Sequence, residues 1–200
     1  MNSIGNQIST DIDRNGYSIT QGLFSEDVLD TLRTYADCGF SAGKYKDAGI
    51  GSGSRHQIQQ HIRGDQIWWL DREDGSLIEP IFSQFDRLKE YLNQNLYLGL
   101  FEFECHLAKY QSGSGYERHY DRPLASRRRK LTLILYLNKC WSLNDGGHLR
   151  LYLNSGSERF IDIAPQFGTL VVFLSEVFAH EVLISNRDRY SLTGWFLERK

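Results

Sequence analysis

The chain has 200 residues, a formal net charge of −2 and 13% aromatic content, which suits one ordered globular domain with enough length to bury a core. The near-neutral charge excludes a general nucleic-acid binder working through a basic surface, so no stable nucleic-acid partner is expected. Cys38, Cys105 and Cys140 form neither a C-x-x-C pair nor an even framework, the start Met1-Asn2-Ser3-Ile4-Gly5 lacks a basic-then-apolar leader, and no apolar run has membrane length; a cytoplasmic, monomeric protein with reduced thiols and no membrane partner is expected.

The first half patterns mainly as helix and the second half as strand. Ser25 is placed to cap a helix in which Val28, Leu29, Leu32 and Tyr35 share a face. The Gly- and Ser-rich segment from Gly39 to Arg55 follows. It fails the G-x-G-x-x-G spacing and is followed by no P-loop lysine, so a mobile surface loop is predicted rather than a phosphate cradle. His61 to Trp69 alternates as a strand beside that loop. A stronger helix is predicted from the capping box Ser76-Leu77-Ile78-Glu79, with Pro80 tolerated in its first turn. Its stripe of Ile78, Ile81, Phe82, Phe85, Leu88, Leu92 and Leu96 needs the outside of a sheet to cover it.

From Phe101 onward short apolar runs recur: Phe101 to Tyr110, Leu131 to Leu137, His148 to Leu153, Thr169 to Leu174 and Arg189 to Phe196. Turn signals at Asn144-Asp145-Gly146-Gly147, 154–157 and 186–188 separate them. The fold class is mainly β with N-terminal helices (α+β), a sandwich or jelly roll. One domain over 1–200 is expected, with about 1–98 as helical support and loop and about 99–200 as the jelly-roll core. Alternation puts Thr132, Ile134 and Tyr136 on one face of their strand and Leu131, Leu133, Leu135 and Leu137 on the other. In the last run Arg189, Ser191, Thr193 and Trp195 share a face opposite Tyr190, Leu192 and Phe196. An Arg, a Thr and a Tyr converging inside a barrel would make a carboxylate receptor.

The chemistry resides in His119-Tyr120-Asp121, with His180 and Arg189 far downstream. Two residues apart on an extended strand, an imidazole and a carboxylate point the same way. A second imidazole from a distant strand completes a two-histidine, one-carboxylate triad that holds Fe(II) on one side and leaves the other open. Arg189 offers a fixed charge suited to a two-point grip on a carboxylate. Taken singly these residues read blandly: H-x-D recurs by chance, His180 as a structural histidine, Arg189 as a surface arginine. The ordered set, with each member on a suitable strand, carries the specificity. His56, His61, His106 and His148 have no ligand-spaced partner and read as structural or exposed. The cysteines lack zinc spacing, and no G-x-S-x-G elbow supports a hydrolase. The basic stretch Arg127 to Lys130, with Arg118 and Arg122 nearby, reads as a solvated loop or a substrate contact.

The run Tyr110-Gln-Ser-Gly-Ser-Gly-Tyr116-Glu-Arg-His119-Tyr-Asp121 resembles the first metal motif of the 2-oxoglutarate- and Fe(II)-dependent prolyl 4-hydroxylases. Ile62-Arg63-Gly-Asp-Gln-Ile-Trp68, Tyr136-Leu-Asn-Lys139, Gly146-Gly-His-Leu149-Arg150, His180-Glu-Val182 and Arg189-Tyr-Ser-Leu-Thr193-Gly-Trp195 continue the likeness in order. It is strongest to the hypoxia-inducible-factor prolyl hydroxylases and their bacterial relatives, some of which modify elongation factor Tu. The resemblance implies a double-stranded β-helix with His119, Asp121 and His180 as iron ligands. It also implies 2-oxoglutarate held by Arg189 and Tyr136, with Thr193, Leu149 and Tyr110 around it. Arg63, Tyr116, Arg129 and Trp195 would meet the substrate, and the segment between Gly39 and Arg63 would be a finger closing over it. The chain stops at Lys200 just after the last expected core strand, so the C-terminal helix of the animal members would have no counterpart. The implied reaction consumes 2-oxoglutarate and O2 at Fe(II), with ascorbate as a reductant, to hydroxylate a prolyl residue, elongation factor Tu being the expected protein partner. Another oxygenase on the same scaffold, acting on nucleic acid or a free amino acid, and a non-catalytic jelly-roll binding module are the alternatives.

Overall fold

A computed structural model describes residues 2–49, 57–121, 128–153 and 158–199. Three helices, α1 (Asn2–Asn15), α2 (Glu26–Ser41) and α3 (Glu79–Leu96), precede or interrupt the early strands β1 (Tyr17–Thr20), β2 (Lys46–Asp47) and β3 (Asp65–Leu70). The rest is strand: β4 (Leu100–Tyr110), β5 (Tyr116–His119), β6 (Arg129–Tyr136), β7 (Leu149–Tyr152), β8 (Phe160–Ile163), β9 (Leu170–Leu174), β10 (His180–Val182) and β11 (Arg189–Glu198). They form a seven-stranded sheet in the order β1-β9-β6-β11-β4-β3-β2 and a four-stranded sheet in the order β5-β10-β7-β8. Strand pairing is antiparallel in both sheets, as a double-stranded β-helix requires.

The alternation of the long strands sets the layers. Leu131, Leu133, Leu135 and Leu137 face outward with Leu192 and Phe196 and are covered by Ile8, Ile12, Leu29, Leu32 and the α3 stripe. The intervening Ile134 and Tyr136 turn inward and pack with Leu149, Leu151 and Ile163 of the smaller sheet. Helices thus seal one face of the large sheet, and the small sheet closes the other around an interior.

Several local expectations change. Ser25 stands at the start of α2 in extended conformation, yet its side chain caps nothing; its carbonyl oxygen accepts from Leu29 N at 3.1 Å. The Ser76–Glu79 capping box does not form. Pro80 removes a backbone N–H at the start of α3, and the Glu79 carboxylate instead accepts from Arg72 at 2.9 Å and from Ser83 at 2.7 Å. The strand expected from His61 starts only at Asp65, after a turn at Ile62. The loop expected from Gly39 starts later: α2 runs to Ser41, and a Cβ on Gly39 would overlap the Trp68 indole. The core of that segment (50–56, which contains Gly51, Gly53, Arg55 and His56), Arg122 and Arg127, and the turn 154–157 lie outside the described residues.

Gly194, in the middle of β11, is opposite Cys105 and Leu133. A Cβ there would lie 2.9 Å from both Cys105 Cβ and the Glu104 carbonyl oxygen, neither of which can swing away. Gly194→Ala is therefore expected to destabilise the fold by about 1–3 kcal/mol through overpacking, measured as a lower urea midpoint; an unchanged midpoint would show that β4 yields without cost.

Candidate active site

His119 closes β5 and His180 opens β10, and the two residues are directly opposite each other in the small sheet. Asp121 lies past the end of β5, in a bend rather than on the strand, and still meets both imidazoles. His119 Nε2 is 3.7 Å from Asp121 Oδ1 and His180 Nε2 is 3.4 Å from Oδ2. Ligand atoms of the three residues all fall within 4.8 Å of one another.

The surroundings fix how each group presents itself. His119 Nδ1 is 2.7 Å from the Glu117 carbonyl oxygen and His180 Nδ1 is 3.3 Å from that of Phe178. Carbonyls can only accept, so both Nδ1 atoms carry the proton and both Nε2 lone pairs face Asp121. Tyr116 stacks on His119 with centroids 3.6 Å apart, and Phe173 meets His180 edge-on at 4.9 Å. Thr132 Oγ1 donates to Asp121 Oδ2 at 2.9 Å and is itself backed by the Ser175 hydroxyl at 2.9 Å. Burial, followed by the nearby His180, lowers the His119 pKa. For Asp121 burial is the largest influence and pushes upward, but His180, His119 and Arg129 together outweigh it and hold the carboxyl below its usual range. Two neutral imidazoles and a carboxylate is the donor set of a divalent iron site with open positions.

Beside this triad lies a cavity of about 470 Å3. Arg189 is 1% exposed at one end of it, its guanidinium 5.0 Å from the ring centroids of both Tyr110 and Tyr136. Arg189 Nε donates to the Gly147 carbonyl oxygen at 2.9 Å, and no carboxylate pairs with the guanidinium among the described residues. Gly147 has φ 63°, and a Cβ on it would crowd Arg189 Cδ at 3.1 Å, so glycine permits this approach. Leu149, Thr193, Tyr110, Tyr116, Arg63, Arg129 and Trp195 all line the same cavity. Tyr136 is not on the cavity wall; it backs Arg189 with its hydroxyl buried and unpartnered among the described residues.

Arg63 grips Asp65 through two contacts of 2.8 and 3.1 Å, and its guanidinium stands 4.9 Å from the Tyr116 ring centroid. Arg129 stacks 3.5 Å from the Trp195 ring centroid and pairs with Glu104 at 2.8 Å. Arg128 pairs with Glu102 and Lys130 with Glu198, each at 3.0 Å, so the described part of the basic block is neutralised rather than offered as a groove. Two wall residues escaped the sequence reading. Trp69 is 48% exposed at the cavity edge, and His106, read as structural or exposed, is buried in the wall. Their pairing across β3 and β4 follows from the strand register, which composition alone does not provide.

The sequence matches the model of the 2OG-Fe(II) oxygenase superfamily over residues 105–197. Human prolyl hydroxylase EGLN3 is 33% identical over 163 residues, covering 78% of this chain and 67% of that protein. The crystal structure of a Pseudomonas putida prolyl-4-hydroxylase superposes with a TM-score of 0.88 at 36% identity, covering 98% of this chain and 100% of that one. A Trichoplax adhaerens prolyl hydroxylase, solved in complex with a hypoxia inducible factor oxygen degradation domain peptide fragment, gives 0.87 at 27% identity, covering 98% of this chain and 89% of that one. The double-stranded β-helix, the His–Asp–His cluster and these relatives together make the chain a member of the 2-oxoglutarate- and Fe(II)-dependent oxygenase superfamily, in its prolyl hydroxylase branch.

Proposed function

We propose that the chain is one oxygenase domain that hydroxylates a prolyl residue of elongation factor Tu, with His119, Asp121 and His180 holding Fe(II) and Arg189 holding 2-oxoglutarate. The observation that carries the reading is the guanidinium of Arg189, buried and without a counter-ion among the described residues, sharing a cavity with a His–Asp–His cluster. An isolated buried charge is costly. A dicarboxylate bound by one end to Arg189 and by the other near the triad offsets that cost.

Bound iron, 2-oxoglutarate and dioxygen supply the oxidising chemistry: the cosubstrate leaves as succinate and carbon dioxide, and one oxygen atom enters the prolyl ring. The protein's own share is orientation. Glu117 and Phe178 carbonyls keep the Nε2 lone pairs available, Thr132 fixes the carboxylate, and Ile134, Leu149, Val182 and Trp195 exclude water. Arg63, Tyr116, Arg129 and Trp195 form the substrate side of the cavity, and Thr193 and Tyr110 border the cosubstrate. Elongation factor Tu as the target rests on the sequence likeness to bacterial members of the branch; ascorbate is the reductant expected to keep the iron ferrous.

Incubating purified elongation factor Tu with the enzyme, iron and 2-oxoglutarate should add one oxygen atom to a proline, detected by peptide mass spectrometry; unmodified protein alongside active succinate formation would remove it as the target. Arg189→Ala should raise the KM for 2-oxoglutarate roughly 30-fold or more, because truncating a buried, hydrogen-bonded charge pair costs about 2–5 kcal/mol. An unchanged KM would take Arg189 out of cosubstrate binding. Thr132→Val should weaken iron binding by roughly 10–100-fold, the usual effect of losing a group that orients a ligand, read by anaerobic iron titration; wild-type affinity would mean Asp121 needs no such support.

A further inference from the structure

Among the polar groups around the cavity, most are already committed within the protein. Arg63 is held by Asp65, Arg129 by Glu104, Asp121 by Thr132, and Arg189 Nε by Gly147. Two buried nitrogens on the side away from Tyr136, His106 Nδ1 and Trp195 Nε1, have no hydrogen-bond partner among the described residues. Their rings are neighbours at 5.4 Å, and the half-exposed Trp69 closes over both at 4.9 and 6.1 Å. Leaving such groups unmet costs about 1–3 kcal/mol each, which points to a ligand that meets them.

Strand order says which ligand. His106 is on β4, opposite Thr193 on one side and Trp69 on the other, whereas Asp121 is tied to Thr132 of β6, with β11 between β4 and β6. With strands about 4.8 Å apart, His106 stands to the side of the line from Arg189 to the triad, toward the edge where Trp69 meets solvent. That edge lies away from Arg189, and the half-exposed Trp69 lines it. Burial, reinforced by Arg63 and Arg129, lowers the His106 pKa to about 3, so the imidazole is neutral and offers one N–H and one bare nitrogen. An indole N–H can only donate.

We propose that His106, together with Trp195, binds a main-chain carbonyl oxygen of the polypeptide that carries the target proline. A half-turn of the imidazole about its broad terminal torsion exchanges Nδ1 with a ring carbon without moving the ring plane, so the nitrogens can adjust to a ligand. A carbonyl is common to every peptide, so this contact fixes depth and direction of the chain and is indifferent to the flanking side chains. The inference rests on the prolyl hydroxylase reading of the same cavity.

The test uses the full chain and a pool of acetylated peptides with proline at the centre and mixed flanking residues. His106→Phe keeps an aromatic ring between the two indoles and removes the nitrogens. It should lower conversion about tenfold across the whole pool and weaken, by a similar factor, binding of the best peptide to Mn(II)-loaded enzyme, followed by tryptophan fluorescence. The KM for 2-oxoglutarate and the melting temperature should stay at wild-type values, and His106→Gln, which restores a donor and an acceptor, should recover part of the loss. Undiminished peptide conversion and binding by His106→Phe would overturn the assignment, as would an equal rise in the 2-oxoglutarate KM. If the wild-type enzyme forms succinate but oxidises no prolyl peptide, the prolyl hydroxylase reading itself fails, and this inference falls with it.

Discussion

A guanidinium buried inside a double-stranded β-helix, with no counter-ion among the described residues, is the constraint that organises the interior. Arg189 opens β11, the strand flanked by β4 and β6 at the centre of the large sheet. Its position is fixed by backbone pairing on both sides of the strand: Arg189 is opposite Tyr110, and Ser191 is opposite Tyr136. Two tyrosine faces and one carbonyl oxygen moderate the charge but do not neutralise it. One end of the cavity accordingly suits an anion. At the other, two imidazoles held as acceptors and a carboxylate make a cation receptor. A molecule with a carboxylate at one end and a metal-chelating group at the other satisfies both ends at once.

The helical layer serves that interior from outside. By covering the leucine face of β6 and the Leu192–Phe196 face of β11, α1, α2 and α3 leave the alternate residues of the same strands no choice but to point inward. Thr132 is then directed at Asp121, Thr193 at the cavity, and Tyr136 at Arg189. The helices touch no reacting group, yet burial of their stripe decides which face of each strand becomes chemical.

Most of this was legible in the chain because a period of two is a strong signal when one face is apolar. The five long runs, the leucine face of β6 and the polar face of β11 follow directly from alternation. Short strands carry too few residues for a pattern: β1 and β8 have 4 residues each and were not singled out. Helix α1 escaped because Ile4, Ile8 and Ile12 are spaced among polar residues with no capping signature. The H-x-D reading picked residues that do cluster, though not for the reason of strand alternation. Asp121 sits beyond the strand, and the Thr132 hydroxyl, 11 positions away, fixes its direction instead. The burial of His106, read as structural or exposed, against Trp69 and Thr193 was not legible because those neighbours come from other strands, and register between strands is not written in either one alone.

The ion pair between Arg63 and Asp65 has a wider reach than its two residues. Arg63 Nη1 also donates to the Gly49 carbonyl oxygen at 3.2 Å, and its guanidinium stands 4.9 Å from the centroid of the Tyr116 ring, which lies flat on His119. One side chain therefore ties together Gly49 of the Gly-rich segment, β3 of the large sheet and the backing of an imidazole at the triad. Replacing it would loosen three attachments in a single stroke, so a variant at this position reports on the posture of His119 as much as on peptide capture.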